Sequence, residues 1–230
     1  MKATTLQLVI FDLDGTLLDT LDDLSAAVNY AVSQRDFPQY TREEYRMLVG
    51  HGARNLMSKA LPPEHAHDEA MIDAVLAVFK AYYNAHIDVF TKPFPGMQEL
   101  LEHLHQKGIK LVVASNKFQE GTVHLIKEFF PEIPFVAILD NCPGYPQKPD
   151  PEVVGEVLRK AGLLEENSPL SRGRRARGVV LVGDSDTDME TAANGGIKGI
   201  AVNWGYRNMR ELGCFSVVDT VSALQTILLP

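Results

Sequence analysis

"LQLVIFDLDGT", residues 6–16, carries a mostly apolar run straight into two aspartates one residue apart, Asp12 and Asp14. The run is short, rich in β-branched residues and bounded by a polar turn, as expected of a parallel strand buried on both faces. Two further runs have the same character, "KLVVA" (110–114) and "GVVLV" (178–182). Weaker strand candidates are "FVAIL" (135–139), "GIAV" (199–202) and "SVV" (216–218). Helical periodicity fills the intervals, at 97–107, 118–130, 151–161 and 188–194. Strands alternating with helices predict an α/β fold, a doubly wound, Rossmann-like parallel sheet.

One interval breaks the alternation. Between Leu21 and Val89 there is no convincing strand, only the helical patterns "LDDLSAAVNYAVSQR", "TREEYRML", "ARNLMSKAL" and "EAMIDAVLAVFKAYYNA". Roughly seventy residues is too long for an ordinary crossover, so an inserted helical domain is expected. The expected boundaries put the α/β core at 1–20 and 91–230 and the insert at 21–90. Hinges are expected around Leu18–Leu21 and in the proline-punctuated "FTKPFPG" (90–96), where a change at Pro93 is expected to alter turnover and Michaelis constant together.

Composition removes several classes of function. The net charge of −8 disfavours a nucleic-acid partner. No apolar run approaches the length of a membrane span, and the stretch behind Met1 and Lys2 is too short for an export leader. Cys142 and Cys214 form neither a disulfide framework nor a metal spacing. A cytoplasmic protein, monomeric or homodimeric, is the expectation. The Arg-rich stretch 172–177, inside the loop "LLEENSPLSRGRRARG" (163–178), is read as solvated.

In open parallel sheets, ligands bind beyond the carboxyl ends of the strands. There the three best strands place Asp12 and Asp14, then Ser115 and Asn116, then Asp184 and Asp188. Four carboxylates in one crevice repel unless a cation or proton relieves them, and an all-oxygen donor set favours magnesium. A carboxylate in this setting is a competent nucleophile toward phosphorus, and a second one two residues on can serve as general acid and base. Gly15 frees the turn so that backbone amides approach phosphoryl oxygens, and Ser115 can hydrogen-bond them. Lys148, between Gln147 and the rigid "PDP", supplies a cation to offset transition-state charge.

The segments "DLDGTLLDT", "ASNK", "KPDPE" and "GDSDTDMETAANGG" resemble, in order and spacing, the four motifs of the haloacid dehalogenase-like hydrolases. The resemblance covers essentially the whole chain. It implies Asp12 as nucleophile, Asp14 as general acid/base, and Thr16, Ser115, Asn116 and Lys148 as phosphate binders. It further implies magnesium held by Asp12, Asp14 (through its carbonyl) and Asp184, with Asp188 supporting the ion or holding Lys148. The insert resembles the family's mobile cap. True dehalogenases of the superfamily lack the second acidic residue of the first motif, so Asp14 argues for phosphoryl transfer.

Within the superfamily the chain is most similar to phosphoglycolate phosphatases, through "LVGHGARNLMSKAL" (48–61), "FPGMQELLEHLHQKG" (94–108) and "VNWGYR" (202–207). The long 163–178 stretch and Phe118, where proline is common, depart from that pattern. A small phosphorylated metabolite, phosphoglycolate first, is the expected substrate. Alternatives are a β-phosphoglucomutase-like mutase, a pyrophosphatase or other small-phosphate phosphatase, and a non-catalytic binding module. Specificity is expected in the insert, where "GHGARN" (50–55) opens a helix and His51 and Arg54 are candidate substrate contacts. His65/His67 and His103/His105 are read as surface residues, and Trp204 as packing near the core–insert junction.

Overall fold

The computed structural model of the protein describes residues 5–141, 144–166, 176–213 and 216–230. Cys142, Cys214 and most of the Arg-rich stretch, Arg172, Arg174 and Arg175 included, lie outside the described residues. The chain begins with β1 (Leu8–Phe11), β2 (Leu18–Asp19) and the helices α1 (Leu21–Ser33), α2 (Arg42–Arg46), α3 (Gly52–Ala60) and α4 (Glu69–Ala85). It continues with β3 (Lys92–Pro93), α5 (Met97–Gln106), β4 (Lys110–Phe118), α6 (Gln119–Phe129), β5 (Ala137–Asn141) and α7 (Glu152–Lys160). It closes with β6 (Val179–Gly183), α8 (Asp186–Asn194), β7 (Lys198–Val202), β8 (Val217–Val218) and α9 (Val221–Leu228).

Among the described residues, six strands form one sheet in the order β5-β4-β1-β6-β7-β8, and every pair in it is parallel. The chain winds outward from β1 through β4 to β5, then returns across β1 to begin the other half at β6. The direction therefore reverses beside β1, which opens a crevice at the carboxyl ends of β1, β4 and β6. The register makes this concrete. Phe11 is level with Val113 and with Val182, so Asp12, Ser115 and Asp184 emerge close together.

Alternation along the strands builds two cores. Val9, Phe11, Val113 and Val182 point into one with Leu100 and Leu104 of α5 and Leu224 of α9. Leu8, Ile10, Val112 and Leu181 point into the other with Val154 and Val157 of α7 and Ala192 of α8. Both faces are covered, which is why these strands are apolar throughout.

The expected strandless interval is helical: α1 through α4 lie between β2 and β3, packed around Val28, Val32, Val75 and Phe79. The two crossings to and from it lie side by side, because β2 and β3 pair antiparallel with Leu18 opposite Pro93. Asp23, buried in α1, accepts hydrogen bonds from the Phe90 and Thr91 amides and the Thr91 hydroxyl, which ties the return crossing to α1.

Two sequence expectations shift. The strand expected to end at Ala114 continues to Phe118, with a register irregularity against β5 after Ala114, so "SNK" stays extended at the sheet edge of the crevice. The helix expected from Asp188 starts at Asp186, because Ser185 and Asp188 form a reciprocal capping box, a device that contributes about 1 kcal/mol. The pairs β2 and β3, and helix α9 with its Thr220 cap, had no expectation attached. His65 and His67 lie in a turn that follows Pro62.

Candidate active site

The loop after β1 is closed by its own backbone. The Leu13 carbonyl accepts from the amides of Thr16, Leu17 and Leu18, while Leu13 and Leu17 are fully buried anchors. Gly15 takes φ +83°, and a Cβ there would stand 2.2 Å from Asp184 Oδ2. That close approach, with the positive φ, explains the glycine.

Lys148 is the hub of the crevice. Its buried Nζ donates to Asp12 Oδ1 at 2.7 Å and to Asp188 Oδ1 at 2.6 Å. Asn116 holds its backbone in place by donating Nδ2–H to the Lys148 carbonyl and accepting the Lys148 amide, both at 3.0 Å. Asp188 is fully buried and also accepts from the Ser185 hydroxyl at 2.5 Å. Asp184 accepts the Tyr206 amide at 2.6 Å, and Gly205 lets that loop close over it.

Carboxylate oxygens of Asp12, Asp184 and Asp188 lie within 4.8 Å of one another. Three carboxylates thus face one ammonium. Burial, above the attraction of Lys148, raises the Asp12 carboxyl from its ordinary 3.8 to about 7, with repulsion from Asp188 and Asp14 adding to it. Burial and the neighbouring Asp12 and Asp188 push Asp184 well above the usual carboxylate range. Burial pulls Lys148 down, but Asp12 and Asp188, by charge and hydrogen bond together, outweigh it and hold the ammonium above its ordinary range. The cluster is short of positive charge, and its all-oxygen donors fit a hard divalent cation. Asp12, Asp184 and Asp188 could hold one.

Other expectations are revised by position. Thr16 is fully buried with its hydroxyl 3.5 Å from Asp184, so it faces the acidic cluster and not the open cleft. The Asn116 side chain uses both its ends on the Lys148 backbone and so holds that cation in place, while the residue itself lines the cleft. Arg54 turns outward into ion pairs with Asp73 and Glu69 of α4, and it does not line the cleft. His51 is exposed at the start of α3, with Nδ1 3.5 Å from the Thr187 hydroxyl, where insert meets core. Its neighbours Gly50 and Gly52 do line the cleft, as does Ser115. Trp204 stands at the junction, donating Nε1–H to the Thr16 carbonyl at 3.2 Å.

The cleft wall opposite the carboxylates is apolar: Leu24, Val49, Leu56, Phe79 and Phe118. Sequence reasoning assigned no role to three cleft residues. Lys117 lies buried beside Asp14. Tyr206 bonds the Thr20 hydroxyl at 2.9 Å. Arg207 donates to the carbonyls of Arg46, Met47 and Val49 at 3.0, 3.1 and 2.9 Å, fastening the insert loop over the cleft. All three sit inside the motifs "ASNK" and "VNWGYR", which was the available signal.

A family model described as haloacid dehalogenase-like hydrolase matches residues 9–202. A phosphoglycolate phosphatase of Mesorhizobium japonicum is 31% identical over 220 residues, covering 94% of this chain and 92% of that protein. One of Agrobacterium fabrum is 33% identical, covering 94% and 90%. A crystal structure from Lactobacillus delbrueckii subsp. bulgaricus superposes with a TM-score of 0.85 at 33% identity, over 98% of this chain and 99% of that one. The chain belongs to the haloacid dehalogenase-like hydrolases. Within that family it is an enzyme of the phosphoric monoester hydrolase kind. No helix among the described residues is long and apolar enough to cross a membrane.

Proposed function

We propose that the protein is a magnesium-dependent phosphatase that hydrolyses a small phosphate monoester, 2-phosphoglycolate foremost, through an aspartyl-phosphate on Asp12. The observation that carries this reading is Lys148 bridging Asp12 and Asp188 at 2.7 and 2.6 Å, with Asp184 in the same buried cluster at the sheet's carboxyl edge. The preference for phosphoglycolate is supported by the relatives named for that substrate at 31–33% identity.

Asp12 lies at the end of β1 with its amide bonded to Val182, so the nucleophile is fixed by the sheet itself. Its oxygen attacks phosphorus, the bond to the leaving oxygen breaks, and Asp14 gives that oxygen a proton. Asp14 then takes a proton from water as the water attacks phosphorus and the Asp12–phosphorus bond breaks. Ser115 and Lys148 hold the phosphoryl oxygens and offset their charge. Magnesium, held by Asp12, Asp184 and the Asp14 carbonyl with Asp188 in support, would supply further charge neutralisation there. We take 21–90 as a cap whose apolar wall excludes water, hinged at the paired segments β2 and β3.

The reading is tested by phosphate release with magnesium or EDTA across phosphoglycolate, pyrophosphate, hexose phosphates and nucleotides. Selective magnesium-dependent release from phosphoglycolate is expected. Turnover of another compound would move the substrate, and activity only with a sugar bisphosphate activator would favour a mutase.

A pH dependence follows from Asp12. Its carboxyl titrates higher folded than unfolded, so without metal its contribution to stability is full below about pH 4 and is lost as pH rises through about 7. Magnesium must displace that proton, so its stabilisation should grow as pH rises through the same window. Thermal unfolding with magnesium or EDTA should show a larger shift at about pH 8 than at about pH 5.5. An equal or larger shift at the lower pH would contradict the assignment.

A further inference from the structure

Lys117 has no part in the scheme above. It follows Ser115 and Asn116 near the end of β4, lines the cleft, and its side chain is only 3% exposed. Its Nζ donates to Asp14 Oδ1 at 3.0 Å and Oδ2 at 3.2 Å, and to the Tyr83 hydroxyl at 2.7 Å. Tyr83 comes from α4 of the insert and is fully buried. Its ring stacks on Phe79 at 5.4 Å and meets Phe118 edge-on at 6.0 Å. Asp14 Oδ1, the oxygen nearer Lys117, also accepts the Thr20 hydroxyl at 2.7 Å.

A buried lysine–carboxylate pair is poor value as a stabiliser, since desolvation of both charges offsets their attraction. Its use is geometric. A general acid must present its proton within about 2.6–3.2 Å of the oxygen it serves, and a carboxyl on a short loop has two soft torsions that spoil this. Here the carboxyl is gripped from the sheet edge by Lys117 and from the β2 side by Thr20, and Lys117 is itself braced by a rigid tyrosine.

We propose that Lys117, braced by Tyr83, is a positioning residue that sets the Asp14 carboxyl for proton transfer to the leaving oxygen. This rests on the role given to Asp14 above. Because Tyr83 belongs to α4, docking of the insert completes the arrangement of the acid, so the insert contributes to chemistry as well as to enclosure.

The test compares kcat/KM for phosphoglycolate, whose alkoxide must be protonated as it leaves, with that for p-nitrophenyl phosphate, whose phenolate leaves without help. Lys117→Met should lower the first by about a hundredfold and the second by less than about fivefold. Tyr83→Phe keeps the ring stack, so it serves if Lys117→Met does not fold; it should give the same selectivity at about tenfold. Lys117→Arg should recover part of the loss on phosphoglycolate. Equal losses on both esters, or none, would overturn the role of Lys117 and leave the phosphatase reading intact. Wild-type protein inert on both esters would overturn both.

Discussion

Lys148→Met is expected to lower phosphatase turnover by roughly 10³–10⁵, the range seen when a cation offsetting transferring-phosphoryl charge is removed. The side chain is 4% exposed and lies between Asp12 and Asp188, so no water or neighbouring cation can substitute easily. Two consequences separate this from simple misfolding. Breaking a buried pair costs about 3–5 kcal/mol because the partner charges are left uncompensated. The variant should therefore melt lower than wild type in EDTA and recover part of the difference in magnesium, while activity stays low in both. Turnover within tenfold of wild type would remove Lys148 from the account.

Gly205→Ala is the second substitution with a large expected effect. A Cβ at 205 would lie 2.3 Å from Asp184 Oδ2 and 2.4 Å from the Gly15 carbonyl oxygen. The second contact is backbone, so the conflict cannot be relieved by turning a side chain. The loops after β1 and β7 must part, and Asp184 moves with them. A displacement near 1 Å at a site of this kind costs about a hundredfold in rate, and overpacking costs about 1–3 kcal/mol in stability. Gly108→Ala is the matched control. Gly108 has φ +74° with nothing within 4 Å of a built Cβ, so alanine there brings backbone strain that Gly205, whose φ is not positive, lacks, and brings no clash. Comparable turnover in Gly205→Ala and the wild type would show that Asp184 tolerates displacement.

Why was Lys148 visible in the sequence when Lys117 was not? Lys148 stands beside prolines at a loop that must follow a strand, where a cation has few structural reasons to be. Lys117 sits at the end of a buried apolar run, and its partners are fixed only by tertiary structure: Tyr83 comes from the insert, 34 residues away, and Asp14 lies 103 residues away. Periodicity places a residue on an element and a motif places it near a strand end, but neither tells which way its side chain turns. Arg54 illustrates the converse. Its helix was anticipated, yet the acidic residues that take its charge, Glu69 and Asp73, belong to the next helix, and no local pattern ties them to it. The parallel sheet and the strandless interval were legible because each rests on runs of several residues, whereas the order of the strands is set by tertiary pairing. The short pair β2 and β3 was not, since two residues per strand leave no periodic signal.

The most direct measurement is to trap the covalent species. Wild-type protein turning over phosphoglycolate with magnesium is quenched with borohydride, which reduces an acyl phosphate to the alcohol, and position 12 is read by mass spectrometry. The account predicts homoserine at position 12 in wild type, absent without substrate, and neither the adduct nor phosphate release in Asp12→Asn. Phosphate release by Asp12→Asn at the wild-type rate, with no reduced residue in either protein, would contradict it.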